Sequence, residues 1–586
     1  MWQGIFFWAP LVLGIQATSP SCRCFPNEPC WPSLQQWSDF NATLGGKLIS
    51  TVPIGSVCHT HGEYAAYDPE ACADLISDWG YPVTHYDTSS SPMASWFSNF
   101  SCDPFLAPDV PCNIGSVQWF AVNVSTAEDV QKTLRFTNEH NIRLAIRNTG
   151  HDYLGKSTAP GAVALWTHYL KDTQHLEYSS AHYTGSAMRL GAGIQGFEAT
   201  AAAHAQDKVV VTGNCESVGI AGGYTQGGGH GQLASQFGLA ADQALEWEVV
   251  TADGKLLTAS PTENADLYWA LSGGGGGTYA VVLSVTVKTH PEMTTSSATL
   301  TFDGTGVSTE FWKIVQTFVV DILPLLDAGA VAIWAISGSI FSLTPISLPG
   351  GRRDQLQEAL TPTLALLKQS NISYMLTTIA AYDIQEFPTF WASFQAMNPH
   401  SNITEAQIGG RLIPRSTVES DLASLISAIR SIAEEGVVVS GVSLNVSRAA
   451  IPFNAVNPAW RDAAISFVLG TYVISTPHFL LPLSTNYLIS TYNYTNPKVD
   501  IQCQSLMTDS IVPRLAALSP GGGAYLNEAD WRQPDWQSVF YGDKYPLLEV
   551  IKAKYDPEHV FYARTAVGSE WWHEELDGRL CRAACA

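Results

Sequence analysis

The spacing of apolar residues along the chain predicts alternating strands and helices from about residue 116 onwards. A mostly apolar stretch at 117–124 is typical of a buried strand, and a capping-box pattern at 125–128 predicts the start of a helix. Val130 and Leu134 then lie one turn apart on the inner face of that helix, and 144–146 has the pattern of a second strand. The sequence therefore predicts a β-α-β unit with a short crossover.

The same patterns divide the rest of the chain. Between 186 and 290, short β-rich stretches alternate with an alanine-rich helix and with two glycine-rich loops, at 222–231 and 273–277. Glycine becomes rarer after residue 294, and 295–515 has the pattern of a separate α+β domain. We expect the aromatic-rich stretch 525–572 to be irregular. Helices are expected at 197–206, 311–322 and 422–429, and strands at 188–190, 209–211, 246–252, 279–287 and 437–446.

The amino terminus has the pattern of a secretion signal. Residues 5–15 are almost wholly apolar and small, turn-forming residues follow at 17–20, which is the length of a signal-peptide core and too short to span a bilayer. No Lys or Arg precedes Arg23, and the alternative is a buried N-terminal segment. The next-longest apolar run, 328–341, is also too short to span, so we expect a secreted protein without a membrane segment.

Cysteines and glycosylation signals support an oxidising compartment. Seven of the 11 cysteines precede residue 113 and two lie near the C-terminus, a pattern that predicts disulfides in peripheral segments, although their pairing is not readable from sequence. Cys215 stands alone in the middle of the chain. Asn-x-Ser/Thr signals occur at Asn41, Asn99, Asn123, Asn371, Asn402, Asn445 and Asn493.

Composition and charge exclude several kinds of partner. Hydrophobic residues make up 46% of the 586 residues and charged residues 14%, so the chain can form sizeable cores and is not disordered. Asp and Glu outnumber Lys and Arg by 53 to 30, which gives a formal net charge of -23. Such a surface repels nucleic-acid phosphates and anionic membranes, and we expect neither as a partner. We also expect no metal site.

Two glycine motifs match nucleotide-binding signatures. Residues 150–157 match a phosphate loop, but Pro160 and Gly161 would interrupt the helix that such a loop requires. Residues 191–196 match the G-x-G-x-x-G of dinucleotide folds, between a predicted strand and a predicted helix, with Glu216 further on. In a glycine-rich chain the alternative for this second motif is a tight strand-to-helix turn.

A histidine on one glycine turn and a cysteine on another form the most informative pattern. His151 lies within 147–155, and Cys215 lies within 213–219, just before the glycine run 222–231. Glycines let backbone N–H groups approach a pyrophosphate closely. Alone, the two residues could be a loop histidine and a buried cysteine. Together they offer two nucleophiles that can add to an electron-poor flavin ring.

At these residues the chain resembles the berberine-bridge-enzyme-like family of oxygen-dependent FAD-linked oxidoreductases. That family belongs to the vanillyl-alcohol-oxidase superfamily and has the PCMH-type FAD-binding fold. The resemblance covers about 114–570 and is closest to the secreted fungal branch. The matching stretches are 147–157, 213–231, 238–254, 266–280, 524–530 and 554–563.

The resemblance implies an α+β fold, with a two-lobed PCMH-type FAD-binding domain and an α+β substrate domain that contains an antiparallel sheet. The implied division is a signal peptide at 1–19, a Cys-rich and loop-rich extension at 20–113, the FAD-binding domain at 114–294, the substrate-binding domain at 295–515, a segment returning to the flavin domain at 516–570, and a tail at 571–586.

The resemblance also implies the cofactor site. His151 would carry the 8α-histidyl link and Cys215 the 6-S-cysteinyl link of a bicovalent FAD. Val218 matches the family's oxygen-gate position, where valine accompanies oxidases, so we expect re-oxidation by dioxygen with release of hydrogen peroxide. The other expected cofactor-binding residues are Arg147, Asn148, Thr149, Gly150, Asp152, Gly155, Gly219, Gly222, Gly223, Gly228, Gly229, His230 and Val250.

The group that removes the substrate proton stays open. The family draws this base from the substrate sheet or from a Tyr-x-Asn-Tyr segment near the C-terminus, which here runs from Tyr525 through Asn527 to Glu528. Tyr525 and Asn527 are candidate contacts to flavin or substrate. Glu528 is either a base or a carboxylate satisfied within a packed turn. Substrate-sheet residues around 472–494 are an equal alternative.

The expected function is that of a secreted FAD oxidase acting on an alcohol, amine or activated C–H of a small molecule in fungal secondary metabolism, by simple oxidation or oxidative cyclisation. One alternative is an extracellular carbohydrate oxidase, which would have an open polar groove instead of a closed apolar pocket. An alternative of another class is a non-catalytic secreted flavoprotein. The expected partners are the small-molecule substrate and dioxygen, and we expect a monomer.

Overall fold

The computed structural model describes residues 22–377, 384–398, 402–448, 453–471, 489–490 and 496–583. The expected signal peptide at 1–19 lies outside these residues. Within the described ranges, no helix combines the length and apolar character needed to cross a bilayer.

The chain before residue 295 alternates short strands and helices. Its strands are β1 (Leu48–Ser50), β2 (Phe120–Asn123), β3 (Leu144–Arg147), β4 (Val163–Trp166), β5 (Thr173–Ser179), β6 (Thr184–Gly191), β7 (Lys208–Val209), β8 (Ala244–Thr251), β9 (Leu256–Ala259), β10 (Ala280–Lys288) and β11 (His290–Pro291). Its helices are α1 (Leu34–Thr43), α2 (Pro69–Asp78), α3 (Pro82–Tyr86), α4 (Ala127–Glu139), α5 (Gly196–His204), α6 (Ala234–Phe237) and α7 (Ala265–Leu271).

The remainder has longer strands and helices. Its strands are β12 (Thr295–Asp303), β13 (Val331–Ser337), β14 (Ile340–Pro349), β15 (Tyr374–Thr377), β16 (Gln385–Phe387), β17 (Thr404–Glu405), β18 (Ile408–Pro414), β19 (Val438–Ser443), β20 (Ala463–Gly470), β21 (Ile489–Ser490), β22 (Trp572–Glu574) and β23 (Leu580–Arg582). Its helices are α8 (Ser308–Asp321), α9 (Leu323–Ala328), α10 (Arg353–Gln369), α11 (Phe390–Met397), α12 (Arg415–Ser420), α13 (Leu422–Glu434), α14 (Ala459–Asp462), α15 (Pro497–Leu506), α16 (Val512–Ala516), α17 (Trp536–Tyr541) and α18 (Tyr545–Tyr555).

Two sheets form the two lobes of the first domain. One has the order β1-β2-β4-β3, in which β2, β4 and β3 run parallel and β1 is antiparallel to β2. The other has the order β5-β6-β10-β8-β9 and is antiparallel throughout. The predicted β-α-β elements are present, but β4 lies between β2 and β3, so the two predicted strands are not neighbours.

Helix α4 begins one residue later than the capping-box pattern predicted. Thr126 is the N-cap: its hydroxyl accepts the N–H of Asp129, and the Asp129 carboxylate accepts the N–H of Thr126 at 3.0 Å. Lys47 also binds this carboxylate at 2.8 Å, which holds it inward, whereas Glu128 is exposed on the surface. A long-range ion pair therefore decides which of two overlapping capping patterns is used.

The Cys-rich extension is more ordered than its sequence pattern indicated. Strand β1 completes the edge of the first sheet, and α1 buries Trp37 and Phe40 against it. The ring of Trp37 stacks on Phe120 and that of Phe40 on Phe136, each with centroids 4.1 Å apart. These aromatic contacts make the extension part of the core of the first lobe.

The second domain is built on one large antiparallel sheet, as predicted. Its order is β15-β12-β14-β13-β19-β20-β18, with β16 also paired to β12. Helices α8, α10 and α13 contribute to the core of this sheet. The apolar face of α8 is buried through Phe311, Val315 and Phe318, which confirms the helical pattern predicted there.

The prediction that 525–572 is irregular is wrong. Helices α17 and α18 lie in this stretch, and Leu548 and Ile551 of α18 enter the core of the second lobe. The buried face of α18 also contains Lys552, whose Nζ lies 2.6 Å from the Asp556 carboxylate and donates to the carbonyl of Thr278 at 2.7 Å. A lysine on the buried face breaks the apolar periodicity from which a helix is predicted.

Four disulfides hold the periphery of the described part of the chain. They join Cys22 to Cys581, Cys24 to Cys30, Cys58 to Cys72, and Cys102 to Cys112. Cys215 and Cys503 belong to no disulfide with another described residue, and Cys585 lies outside the described residues. The prediction that disulfides hold peripheral segments is confirmed, and the first pair joins the two ends of the described chain.

Replacing both Cys22 and Cys581 by serine is expected to lower the free energy of unfolding by about 2–4 kcal/mol, because the longest cross-link no longer restricts the unfolded chain. The denaturant midpoint measures the change. The matched control is Cys503→Ser, which removes a half-buried thiol outside the disulfides and should change stability by less than about 0.5 kcal/mol. Equal midpoints for the two variants would contradict the prediction.

Candidate functional site

The loop that carries His151 is organised by Asp152. The Asp152 carboxylate accepts the backbone N–H groups of Leu154 at 3.0 Å and of Ser157 at 2.7 Å, and the Ser157 hydroxyl at 3.1 Å. No helix occurs in 151–157, so this loop lacks the context of a phosphate-binding loop. The carboxylate oxygens of Asp152 therefore accept hydrogen bonds from within the loop itself.

The glycine motif at 191–196 supports the cysteine loop. It connects β6 to α5, and the first two N–H groups of α5 donate to the carbonyls of Val218 at 3.0 Å and Glu216 at 2.9 Å. A dinucleotide pyrophosphate would need these same donors, and β6 lies in an antiparallel sheet. The motif is therefore the tight strand-to-helix turn, and it anchors the segment that follows Cys215.

The two predicted nucleophiles come together. The Sγ atom of Cys215 lies 3.9 Å from Nε2 of His151. The hydroxyl of Ser217 lies 2.8 Å from the same nitrogen and 3.7 Å from Sγ. Burial lowers the pKa of His151 to about 4, and the Arg147 guanidinium acts in the same direction. The imidazole is therefore neutral at physiological pH and keeps a lone pair for bond formation.

A cavity of about 180 Å³ adjoins these residues. Its walls come from three parts of the chain: the Cys-rich extension, the two loops and the second domain. The lining residues are Met93, Ala94, His151, Asp152, Tyr153, Cys215, Asn402 and Ile403.

Arg147 lies beneath the His151 loop. Its guanidinium is fully buried and donates to the carbonyls of His85 at 3.1 Å, Thr88 at 3.3 Å and Ser91 at 2.5 Å. Gly150 has φ of +85°, and a Cβ there would lie 2.7 Å from a guanidinium nitrogen. Arg147 thus fastens the extension to the loop, and its contact with a cofactor stays a prediction.

The two predicted glycine loops pack on each other. The N–H groups of Gly273 and Gly275 both donate to the carbonyl of Gln226, at 3.0 and 2.8 Å. A Cβ on Gly276 would lie 2.9 Å from Cα of Gly223. The close approach of two backbones explains why side chains are missing from both loops.

Two asparagine side chains pack on this glycine surface. A Cβ at Gly219 or Gly222 would lie 2.7 or 3.2 Å from Nδ2 of Asn148. On the other side, Nδ2 of Asn527 donates to the carbonyl of Gly223 at 2.7 Å. The C-terminal segment therefore reaches the glycine loops.

The candidate catalytic residues form one cluster with His230. Nδ2 of Asn527 also donates to the Tyr525 phenol at 2.8 Å, and the Glu528 carboxylate pairs with Nε2 of His230 at 3.0 Å. The rings of His230 and Tyr525 lie 5.2 Å apart. Burial, reinforced by Glu528, raises the pKa of Tyr525 far above its ordinary value, so the phenol stays protonated. The pairing of Glu528 with His230 agrees with the alternative in which Glu528 is a satisfied carboxylate and not a base.

The substrate-sheet alternative around 472–494 lies outside the described residues, except for 489–490. The catalytic roles of Tyr525, Asn527 and Glu528 stay predictions.

The other expected cofactor residues lie around the same loops. Thr149 is buried beside Gly150, and a Cβ at Gly155 would lie 2.4 Å from the Phe97 ring. Gly228 and Gly229 have φ of +120° and +73°, which favours glycine. Val250 is fully buried on β8, paired with Val281 of β10, in a core formed by residues of both sheets of the first domain.

Ser217 and Tyr224 lie in the site although no sequence pattern indicated them. Ser217 lies two residues after Cys215, and Tyr224 lies inside the glycine run, so proximity to the motifs was the available signal. Serine and tyrosine are common in loops and cores, and neither has a distinctive spacing here.

Several buried polar atoms of these loops have no hydrogen-bond partner within the described part of the chain. They are Arg147 Nη1, Asn148 Oδ1, Tyr224 Oη, Thr225 Oγ1, Gln226 Oε1 and His230 Nδ1. Buried polar atoms are normally hydrogen-bonded, so the loops suit a polar ligand that both donates and accepts. A flavin nucleotide, with its polar ring edge, hydroxyl chain and pyrophosphate, fits this set.

Comparison with known families agrees with this site. The family described as "FAD binding domain" matches residues 120–260, and the family described as "Berberine and berberine like" matches 524–568. The FAD-linked oxidoreductase sor8 of Hypocrea jecorina is 47% identical over 97% of this chain and 94% of its own. The bifunctional decalin synthase calF of Penicillium decumbens is 37% identical over 98% of this chain and 99% of its own.

Solved structures share the architecture. The VAO-type flavoprotein MtVAO615 of Myceliophthora thermophila has a TM-score of 0.87 at 38% identity, covering 96% of this chain and 100% of that one. The glucooligosaccharide oxidase of Acremonium strictum, described with a 6-S-cysteinyl, 8α-N1-histidyl FAD, has a TM-score of 0.58 at 17% identity, over 78% of this chain and 92% of that one. At 17% identity, the similarity to the glucooligosaccharide oxidase concerns the fold alone.

Arg147→Lys is expected to lower the free energy of unfolding by about 2–3 kcal/mol. The Arg147 guanidinium donates to three buried carbonyls, and a lysine ammonium cannot reproduce the geometry of these hydrogen bonds. Thermal unfolding measures the loss. The matched control is Arg189→Lys in the same domain, where an exposed pair with Glu248 should contribute less than about 1 kcal/mol. A loss no greater than that of the control would show that Arg147 does not fasten the loop.

Proposed function

This chain belongs to the family of FAD-linked oxidoreductases with the vanillyl-alcohol-oxidase fold, and we propose that it is a secreted oxidase whose FAD is bonded to both His151 and Cys215. The observation that carries the proposal is the 3.9 Å contact between His151 Nε2 and Cys215 Sγ beside one cavity. The 8 and 6 positions of a flavin lie on the same ring. Both nucleophiles must therefore reach one edge of that ring, as residues this close can.

When bound, FAD would take a hydride from the substrate and pass two electrons to dioxygen, forming hydrogen peroxide. Asn148 and the glycine loops would hold the cofactor through their buried polar atoms. Two covalent links would keep it from dissociating outside the cell, because a tethered group has a high effective concentration. Val218 follows Cys215 by three residues, and a small side chain there suits access of dioxygen.

The candidate catalytic cluster would act on the substrate. Tyr525 stays protonated, and Asn527 donates to its oxygen, so the phenolic proton is available to a substrate oxygen or nitrogen. The pair of Glu528 and His230 can hold a proton taken from the substrate. These residues sit at the glycine loops through the bond from Asn527 to Gly223.

The substrate class we propose is an alcohol, amine or activated C–H of a small secondary metabolite. Full-length fungal relatives support it, including one whose name describes formation of a decalin ring system. Loss of hydride and proton leaves an electrophile that an internal nucleophile can attack, so oxidation and ring closure are related outcomes. Secretion is supported by four disulfides and by the exposure of Asn99 and Asn371 at glycosylation signals.

The two links are tested by acid precipitation of the holoenzyme. Yellow colour is expected to stay with the pellet in wild type and in His151→Ala or Cys215→Ala, because one link suffices, and to enter the supernatant in the double variant. Absorbance of pellet and supernatant measures it. The control is Cys503→Ser, a thiol outside the site. Release of flavin from the wild type would refute the bicovalent proposal.

The oxidase reaction is tested by peroxide release over a panel of alcohols, amines, phenols and oligosaccharides. With the best substrate, Tyr525→Phe is expected to lower kcat by about 100-fold, because the polarising proton is lost. The matched control is Tyr178→Phe, whose hydroxyl contacts Glu246 on the second sheet. Oxidation of oligosaccharides alone would favour the carbohydrate-oxidase alternative. Failure of every substrate to bleach the flavin would favour the non-catalytic one.

A further inference from the structure

A buried group of polar side chains joins the Cys-rich extension to the second domain beside the cavity. Ser95 and Asp103 come from the extension and Glu405 from β17, and each is at most 2% exposed. The Ser95 hydroxyl donates to the Glu405 carboxylate at 2.5 Å and also contacts the Asp103 carboxyl group. We propose that this carboxyl clamp (Ser95, Asp103 and Glu405) holds one proton shared by its two carboxyl groups, and that loss of the proton at higher pH opens the cavity.

The carboxyl clamp adjoins two walls of the cavity. Ala94 lines the cavity from the extension and precedes Ser95, while Ile403 lines it from the second domain, two residues before Glu405. The backbone N–H of Ile403 donates to the carbonyl of Gly80 at 2.9 Å, so the two parts of the chain also meet through their backbones here. A change in the clamp therefore reaches both walls.

The contacts of Ser95 require one of the two carboxyl groups to be protonated. A hydroxyl has one proton, which Ser95 donates to Glu405, so its oxygen can only accept a hydrogen bond from Asp103, and only a protonated Asp103 can donate one. If the hydroxyl turned to Asp103 instead, Glu405 would need the proton. Either arrangement contains one proton, and two buried carboxylates beside a single hydroxyl would repel each other.

The surroundings of Asp103 favour its protonated form. Burial raises the pKa of Asp103 to about 7, against the Phe105 N–H, which donates to its carboxyl group at 3.0 Å. The charge of Glu405 acts in the same direction as burial, and the Ser95 contact acts in the opposite direction. Within the described residues, Glu405 is thus the charged side chain that acts on Asp103.

The other titratable groups facing the carboxyl clamp come from the extension and contact backbone carbonyls. Nε2 of His59 lies 3.1 Å from the carbonyl of Asp103, and Nε2 of His85 lies 2.8 Å from the carbonyl of Trp79, whose indole donates to Glu405 at 3.4 Å. Burial lowers the pKa of His85 to about 4, so its ring is neutral where Asp103 titrates. Arg147 reaches the same segment by donating to the carbonyl of His85.

The carboxyl clamp therefore responds to pH in one direction. An aspartate in water has a pKa of about 4. Up to about pH 7, the closed clamp holds a proton that an opened, hydrated clamp releases. The stability of the closed form falls as pH rises through this window and is constant above it. Once both carboxyl groups are ionised, their separation into water parts the two cavity walls.

Hydrogen exchange of the purified holoenzyme, measured by mass spectrometry and corrected for the intrinsic effect of pH, tests the carboxyl clamp. In peptides covering 93–105 and 402–408, wild-type exchange is expected to be at least about 10-fold faster at pH 8 than at pH 5. Asp103→Asn imitates the protonated carboxyl group and should reduce this difference to less than about threefold. In Glu405→Gln, loss of the neighbouring charge should move the acceleration of exchange, since Asp103 then ionises at lower pH.

Two controls accompany these variants. Asp253→Asn removes a half-exposed carboxylate on the turn after β8 and should behave as wild type. Peptides of the buried helix α8 report unfolding of the whole domain and should stay protected at both pH values.

A wild type with equal exchange at the two pH values, or Asp103→Asn with the wild-type difference, would overturn the carboxyl clamp. Equal acceleration in α8 would also overturn it, since the effect of pH would then be global. The clamp goes beyond the proposed function and does not depend on it, because the readout is exchange and not turnover. Failure of the oxidase proposal would appear separately, in the acid precipitation and peroxide experiments.

Discussion

The structure depends on the way two loops are held against each other so that His151 and Cys215 meet. Neither loop has regular structure of its own. The first is closed by the Asp152 carboxylate, which accepts the N–H groups of Leu154 and Ser157. The second is held by the start of α5, whose first two N–H groups donate to the carbonyls of Val218 and Glu216. The His151 loop therefore depends on one side chain, Asp152, whereas the bonds from α5 to the Cys215 loop join backbone groups.

This arrangement requires three separate parts of the chain. The Cys-rich extension supplies Met93 and Ala94 to the cavity and three carbonyls to Arg147, and the second domain supplies Asn402 and Ile403. The C-terminal segment closes the glycine loops through Asn527. The disulfide between Cys22 and Cys581 joins the start of the Cys-rich extension to the C-terminal end of the described chain.

Burial sets the protonation states on which the proposed chemistry relies. It keeps His151 neutral and therefore nucleophilic, and it keeps Tyr525 protonated and therefore a donor. Arg147 remains charged, with its pKa lowered by burial to about 10, because carbonyl oxygens replace the water around it. Burial thus favours the neutral form of both groups, the unprotonated imidazole of His151 and the protonated phenol of Tyr525.

The spacing of residues in the sequence indicated the glycine loops and brought out His151 and Cys215 as candidate nucleophiles, and the family resemblance implied the antiparallel sheet of the second domain. It also indicated that 191–196 could be a simple turn. Only the tertiary structure decided that Thr126 caps α4, that α18 is a helix with a buried lysine, and that the Ser217 hydroxyl lies beside both His151 and Cys215. These features depend on partners far away in sequence, such as Lys47 for Asp129 and Thr278 for Lys552, and local periodicity carries no information about them.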